Sequence, residues 1–437
     1  MKNIQKIKKR YLAILNRMAK NLAPYVKNPG KDFSRKRKLS FQDIINIIVT
    51  YDAGSIGRCL KRYIHKAKKT PHTSAFLQQR KKLTLYAFQT LLYKFNEPFP
   101  SKTLYGLHIL AVDGTSATVP MVRIEENKEY ERVRTNKDCA RFAYQLHVSC
   151  IYDLINERYY DAYIEPFQKH SEQPAFSFML TQKNFPEKSL FILDRGYESY
   201  TLMAQIQQSG NYFLLRAKEF FGQGSTVGGY PFPKEGAFDR TVTYIYTRRQ
   251  NKKVKAHPEI YKRINSKDTP YFINKEHPYV EMTLRFVMIL LPNGTKECLI
   301  TNLPADKFSP EMLKKLYFMR WKIETSFRLI KYSANLLEFH SRKIEFLHQE
   351  IWAKMIFYNF TTTITQHLQY EKNRGKYNYK PNMTNALHMC REYLRNAKTL
   401  TDVEGHILME MIPVRDGRSF KREGPQQQRF FTTYRYN

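Results

Sequence analysis

The chain has 437 residues, with 73 Lys or Arg against 39 Asp or Glu, a formal charge of +34. An apolar share of 42% is enough to build real cores and argues against a disordered chain. The longest uninterrupted apolar run, Phe286 to Leu291, is far short of the roughly 20 residues of a membrane span. The first residues lack an apolar stretch followed by a small-residue cleavage site, so a secretory signal is not expected. Five scattered cysteines (Cys59, Cys139, Cys150, Cys298, Cys390) form no CxxC pair and no metal-type spacing. Reduced thiols in a cytoplasmic protein are the natural expectation.

The charge creates a field that attracts polyanions. It is concentrated: residues 1–90 hold 22 Lys or Arg against Asp32, Asp43 and Asp52, a local excess of +19. The chain also carries 31 Tyr and 29 Phe, rings that can stack on unpaired bases. Nucleic acid is therefore the expected partner, ahead of a membrane surface or acidic proteins.

Residues 1–22 place Ile4, Ile7, Tyr11, Leu12, Ile14, Leu15, Met18 and Leu22 at helical spacing. Lys31 to Lys38 reads as a basic loop. Ser40 predicts an N-cap for a helix from Phe41 to Tyr51, and Ser55, after the Asp52-Ala53-Gly54 turn, caps a second helix through about Lys66. Two short helices around a Gly turn resemble a helix-turn-helix. Ser74 is read as the cap of a third helix carrying Gln78, Gln79 and Arg80, residue types suited to base edges and phosphates. The plainer reading is a three-helix bundle with a wet basic face. Residues 1–98 are thus expected to form a helical DNA-binding domain.

After Pro98 the pattern changes. Leu107 to Asp113 predicts a strand ending in an acid, Phe142 to Tyr152 a second strand, and Arg158 to Ile164 a third. A helix over about 173–182, a strand Leu190 to Asp194 again ending in an acid, a helix over 198–208 and a strand Tyr212 to Arg216 follow. The expected fold class is α/β, with a ribonuclease-H-like mixed sheet whose first part spans 99–218. Residues 219–308, rich in Gly and in β-type runs, read as a β-rich insertion; Pro292-Asn293-Gly294-Thr295 is a hairpin signal. Residues 309–370 complete the core. Ser309-Pro310-Glu311 opens a helix to about Tyr332, and a second spans about Ile344 to Leu368. Residues 371–437 are expected to be helical with a basic tail, and the helices after residue 340 are the expected dimer contact.

The helix after Pro310 carries the chemistry. Its Tyr317, Arg320, Glu324, Arg328 and Lys331 fall at about 0°, 300°, 340°, 20° and 320° for about 100° per residue, one narrow stripe. Alone, such a stripe is usually a solvated face. With Asp113 and Asp194 closing adjacent strands it becomes a third carboxylate for a cage. Like charges brought together repel unless cations bridge them, and hard oxygen ligands suit Mg²⁺. Two ions about 4 Å apart would activate a water or a 3′-hydroxyl and stabilise the leaving oxygen. Arg320 and Lys331 suit phosphates, and Tyr317 can hydrogen-bond one.

At this point the sequence resembles bacterial DDE transposases of the insertion sequence 4 family, the Tn-five-like cut-and-paste group. The resemblance lies in Tyr317, Arg320, Glu324 and Lys331 at the family spacing, in Ala-Val-Asp113-Gly-Thr and Leu-Asp194-Arg-Gly-Tyr, and in the 219–308 insertion. The stretch Ser74 to Arg80 adds to it, and the likeness covers about residues 35–370. It implies that Asp113, Asp194 and Glu324 hold two Mg²⁺ ions, with Mn²⁺ able to substitute, and that Tyr317, Arg320 and Lys331 grip phosphates. Arg216 and Lys218 would also touch the end DNA. The implied partners are terminal inverted repeats, target DNA and a second copy of the chain when bound to DNA, with no membrane and no small-molecule substrate. The implied location is the bacterial nucleoid. The implied reaction is a nick, a DNA hairpin and strand transfer.

One departure concerns the flipped end base, which a Trp in the insertion helps hold in that family. Here the tryptophans are Trp321 and Trp352, outside 219–308. Tyr230, Phe232, Tyr244 or Tyr246 could stack on the base instead, or simply pack the insertion's core. His147 and His170 lack ligand-spaced partners and read as packing or hydrogen-bonding residues. The alternatives are a catalytically silent DNA-binding descendant and another ribonuclease-H-like endonuclease.

Overall fold

The computed structural model describes residues 2–64, 70–97, 101–120, 125–136, 139–182, 185–186, 188–218, 226–233, 235–264, 273, 275–290, 294–371, 373–374, 377–395 and 402–414. The expected basic tail and the hairpin tip at Pro292 and Asn293 lie outside them. Five helices come first: α1 (Lys2–Lys20), α2 (Phe41–Val49), α3 (Ile56–Ile64), α4 (Thr73–Arg80) and α5 (Leu85–Asn96). Ser40 caps α2, and with Asp43 it forms a capping box. The cap of α4 is His72 rather than Ser74, because that helix starts two residues earlier than its sequence suggests.

The main sheet begins with β1 (His108–Val119), β2 (Glu131–Asn136), β3 (Cys139–Asp153) and β4 (Arg158–Pro166). Next come α6 (Glu172–Gln182), β5 (Ser189–Leu193), α7 (Tyr200–Gln208) and β6 (Tyr212–Arg216). β1 pairs β3 antiparallel and β5 parallel, and β5 pairs β6 parallel, while β4 joins β3 at the far side. The mixed α/β order is the one expected. One strand differs. β1 does not stop at Asp113, because residues 114–119 continue the ladder with β3 up to Val119↔Tyr144. Its parallel pairing with β5 does stop, at Ala111↔Ile192. Asp113 therefore lies in mid-strand, where one neighbour ends.

The 219–308 segment supplies β7 (Phe238–Thr247), α8 (Lys252–Ala256), β8 (Tyr261–Arg263), β9 (Tyr279–Leu290) and β10 (Lys296–Thr301). These strands form no sheet of their own. β10 pairs β6 and β9, so the order β2-β3-β1-β5-β6-β10-β9-β7-β8 is continuous, a ten-stranded sheet among the described residues once β4 is added. Tyr230 and Tyr246 are buried, their hydroxyls 2.6 Å apart, and Tyr230 and Phe232 pack on Phe286. The packing alternative describes these rings.

The expected single helix from Pro310 is broken. α9 (Pro310–Phe318) and α10 (Trp321–Arg328) meet at a tight turn in which Arg320 N–H bonds the Tyr317 carbonyl, and a π turn follows over Leu329–Ser333. The tighter i→i+3 turn and the wider π turn rotate the stripe away from one straight line. α11 (Ile344–Gln366) buries 18 of its 23 residues, so it is an interior axis and not the free dimer surface expected. It packs against α2, α5, β4 and α12 (Met383–Arg395). One continuous apolar cluster runs from Ile4 through α11 to Ile407, so residues 2–97 are fused to the core rather than tethered to it. The C-terminal part adds α13 (Val403–Leu408) and a small sheet of β11 (Asn373–Arg374), β12 (Tyr377–Pro381) and β13 (Met411–Val414), where helices alone were expected. The four cysteines described are free and buried, and no helix of the described residues is long and apolar enough to cross a membrane.

Candidate active site

Strand alternation sorts the neighbours of Asp113. Leu110 and Val112 point into the core under α6 and α7, whereas Ile109 and Ala111 point into the core shared with α10 and α11. Asp113 follows the second set and meets the broken helix. Arg320 Nη1 donates to Asp113 Oδ2 at 3.1 Å, and Nη2 donates to Glu324 Oε1 at 2.8 Å. The guanidinium is 9% exposed, and its Nε has no hydrogen-bond partner. Burial raises the Asp113 carboxyl to about 7; Arg320 and the Gly114 amide pull it down, while Asp194 and Glu324 push it up.

Asp194 stands one residue after β5, next to β1. Its Oδ1 accepts the Gly196 N–H at 2.7 Å and so caps the short turn Arg195–Tyr197. That turn fixes the carboxylate without help from any distant residue. Tyr317 is half-buried between Arg320, Arg216 and Asp194, and burial lifts its hydroxyl to about 12. Lys331 is half-buried near Cys150, the cross-strand partner of Asp113, and burial lowers its pKa. Arg216 Nη2 bonds Glu297 Oε1 at 3.0 Å. The Lys218 backbone N–H donates to Glu198, which also accepts from Thr226 N–H and so ties together both sides of the 219–225 segment.

The N-terminal candidates part company. Gln78 is exposed and Gln79 half-buried on α4. Arg80 is 0% exposed and corrects the expectation of a DNA-facing side chain. Its Nε donates to Gln349 Oε1 (2.9 Å), Nη1 to Glu350 Oε1 (3.0 Å) and Nη2 to the Phe346 carbonyl (2.7 Å). All three nitrogens are spent on α11, so this arginine is structural.

Glu172 belongs to no motif, and His147 and His170 are expected from their spacing to be packing or hydrogen-bonding residues. The structure places all three beside the acids. His147 is 5% exposed, stacks on His170 at 4.5 Å, and has neither ring nitrogen hydrogen-bonded. Its Nε2 lies 3.9 Å from Glu172 Oε1. Burial lowers the ring's pKa to about 4, with His170 and Lys331 adding to the effect, so it is neutral. The sequence signal is a glycine close behind each acid, Gly114 directly after Asp113 and Gly196 two residues after Asp194. Neither Gly114 nor Gly196 needs a left-handed backbone. A Cβ on Gly114 would lie 2.4 Å from His147 Nε2, and one on Gly196 would lie 3.2 Å from Glu172 Oε2.

Among the described residues no three acid, His or Cys side chains stand close enough to grip one cation as they are. The donor set nonetheless suits a hard cation, since it consists of carboxylate oxygens. Arg320 already stands as a positive group on which Asp113 and Glu324 converge. The arrangement can bind positive charge at the acids and a phosphate beside it.

Residues 105–360 match the family model described as "Transposase DDE domain". A search of curated proteins finds no match. Among solved structures, the chain is similar to the cryo-EM structure of a piggyBac transposase synaptic complex with hairpin DNA, at 7% identity and a TM-score of 0.45, over 93% of this chain and 82% of that one.

Proposed function

The chain belongs to the transposase DDE domain family, and on that premise we propose that it is a divalent-metal-dependent cut-and-paste transposase acting at the ends of a mobile DNA element. The observation that carries this reading is the placement of the acids: Asp113 on β1 and Asp194 just past the end of its parallel neighbour β5, with Glu324 linked to the first through Arg320. The strand order β4-β3-β1-β5-β6, with α6 and α7 between the parallel strands, supports a ribonuclease-H-like core.

Asp113, Asp194 and Glu324 would hold Mg²⁺ or Mn²⁺, whose chemistry is to activate a water or 3′-hydroxyl and to neutralise charge on the scissile phosphate. The chain's own residues do the positioning. Tyr317 presents a hydroxyl that stays protonated and can donate to a phosphate oxygen. Arg320 offers a planar fork of donors, and Lys331 a point charge on the β3 side of Asp113. Arg216 and Lys218 extend the positive surface along the rim of β6. Gln78 and Gln79 are proposed DNA contacts on α4. A hairpin intermediate, in which the freed 3′-hydroxyl attacks the opposite strand, and assembly of two copies on two DNA ends are the finer parts of this proposal.

The test is cleavage of a plasmid carrying the gene's flanking DNA, with Mg²⁺ and with Glu324→Gln protein as control. Double-strand cuts at matched inverted ends, absent with the variant, are the expected result. Binding of those ends without cutting would instead assign the chain to a catalytically silent descendant. Cutting by Glu324→Gln at the wild-type rate would remove Glu324 from the centre.

A further inference from the structure

We propose that Glu172 is a fourth carboxylate of the cation centre, working beside Asp194, and that His147 positions it. The inference rests on the cation centre proposed above and adds a residue to it. Glu172 opens α6, on the opposite face of the sheet from Arg320 and Glu324. It reaches the acids through the two gaps left by glycine. Its Oε1 lies 2.9 Å from where a Gly114 Cβ would stand, and its Oε2 lies 3.2 Å from where a Gly196 Cβ would stand. Asp194 Oδ1 lies 3.0 Å from that same Gly196 point, so the two carboxylates share one small space.

Two carboxylates held in one small space repel when both are ionised. On the Asp113 side the equivalent repulsion is offset by Arg320. Among the described residues, no hydrogen bond or ion pair brings a lysine or arginine to Glu172 or Asp194. A bound cation would supply the compensating charge.

His147 is a second, independent observation. Its ring is 95% buried with neither nitrogen hydrogen-bonded to the protein, which is costly unless the ring serves a ligand site. Its Nε2 faces Glu172 Oε1 from 3.9 Å, a distance that closes to a hydrogen bond with a small rotation of the carboxylate. A histidine that holds a ligating carboxylate from behind orients it toward the metal. His170, stacked on the other side of the ring, keeps that ring in place.

The experiment is Mn²⁺ binding to the full chain, followed by electron paramagnetic resonance, with wild type, Glu172→Gln, His147→Ala and Asp194→Asn compared. Glu172 keeps 35% of its side chain exposed, so Glu172→Gln should fold, and the cation-free melting temperature checks that. The expected result is a loss of Mn²⁺ affinity of about 10–100-fold for Glu172→Gln at an unchanged cation-free melting temperature. His147→Ala should lose less, and Asp194→Asn more. Wild-type affinity in Glu172→Gln alongside a loss in Asp194→Asn would overturn the role of Glu172 and leave the centre standing. Wild-type affinity in Asp194→Asn would overturn the centre itself, and this inference with it.

Discussion

Two buried arginines in this protein, Arg80 and Arg320, each pair with a carboxylate, and their surroundings are finished differently. Arg80, inside the helical region, donates from Nε, Nη1 and Nη2 to partners on α11 and is fully buried. Around it, Glu350 also accepts the His340 N–H at 2.9 Å, and Lys354 Nζ bonds the Tyr51 carbonyl at 2.7 Å. Asp52 takes Arg395 at 3.0 Å from α12. Arg320, at the sheet, uses two nitrogens, leaves Nε without a partner and sits against Asp113, whose carboxyl burial lifts to about 7. The first cluster closes its hydrogen-bond account around the arginine and joins helices distant in sequence. The second is left unfinished at Arg320 and at His147. A completed buried ion pair is a structural joint, whereas an incomplete one keeps capacity for a ligand.

The comparison can be broken most directly by removing one partner from each cluster. Arg80→Ala strands a buried Glu350 and should cost about 3–5 kcal/mol of unfolding free energy in urea denaturation. Glu324→Gln removes one of several like charges and should leave stability within about 0.5 kcal/mol while cleavage is lost. Equal destabilisation by both would erase the distinction between joint and site.

Next in size is Gly114→Ala. The new methyl would press on the His147 ring and should cost about 1–3 kcal/mol. Adding His147→Ala should return a large part of that loss, which a double-mutant cycle measures. Additive effects would mean that the glycine serves something other than the histidine.

A subtler contrast lies in pH. Burial would lower His340, but bonds from Cys59 and Glu350 carry it up to about 9, above its ordinary value near 6.5. A raised pKa gives stability that is present below 6.5 and lost as pH rises through about 9. Lys354 runs the other way. Burial, with Arg391 adding, lowers it to about 7, so its penalty is present below 7 and is relieved as pH rises toward its ordinary 10.5. The two slopes oppose each other in the wild type. In Lys354→Met the melting temperature should therefore fall more steeply between pH 7 and 9. An unchanged slope would show that these groups do not titrate with folding.

The smallest effect is expected at the surface. Lys27 and Glu345 join the same helical region and α11 at 2.6 Å, but both side chains are 40% exposed. Lys27→Ala should cost about 0–1 kcal/mol and be sensitive to salt. A loss as large as that of Arg80→Ala would mean that burial is not what separates strong joints from weak ones.

Much of this was legible in the residues. Apolar runs placed β1 and its parallel neighbour β5, Ser40 and Ser309 marked real caps, and the four-residue spacing of Arg320 and Glu324 keeps the two in hydrogen-bond reach. Arg80 misled because an arginine on a short basic helix looks the same whether it faces water or a buried glutamate 270 positions away. Glu172 was invisible for a related reason. It opens an ordinary helix, and nothing in its local sequence says that two glycines elsewhere leave it a path to the acids.

The sequence by itself determined most element types and the mixed α/β order, because periodicity and capping act over a few residues. Tertiary structure alone decided that the β-rich segment would extend the core sheet, that α11 would run through the interior, and which charged groups would be closed off or left open. Those outcomes depend on which backbone edges and which polar atoms find partners across hundreds of residues, and pairing at that range is set by packing rather than by neighbours in the chain.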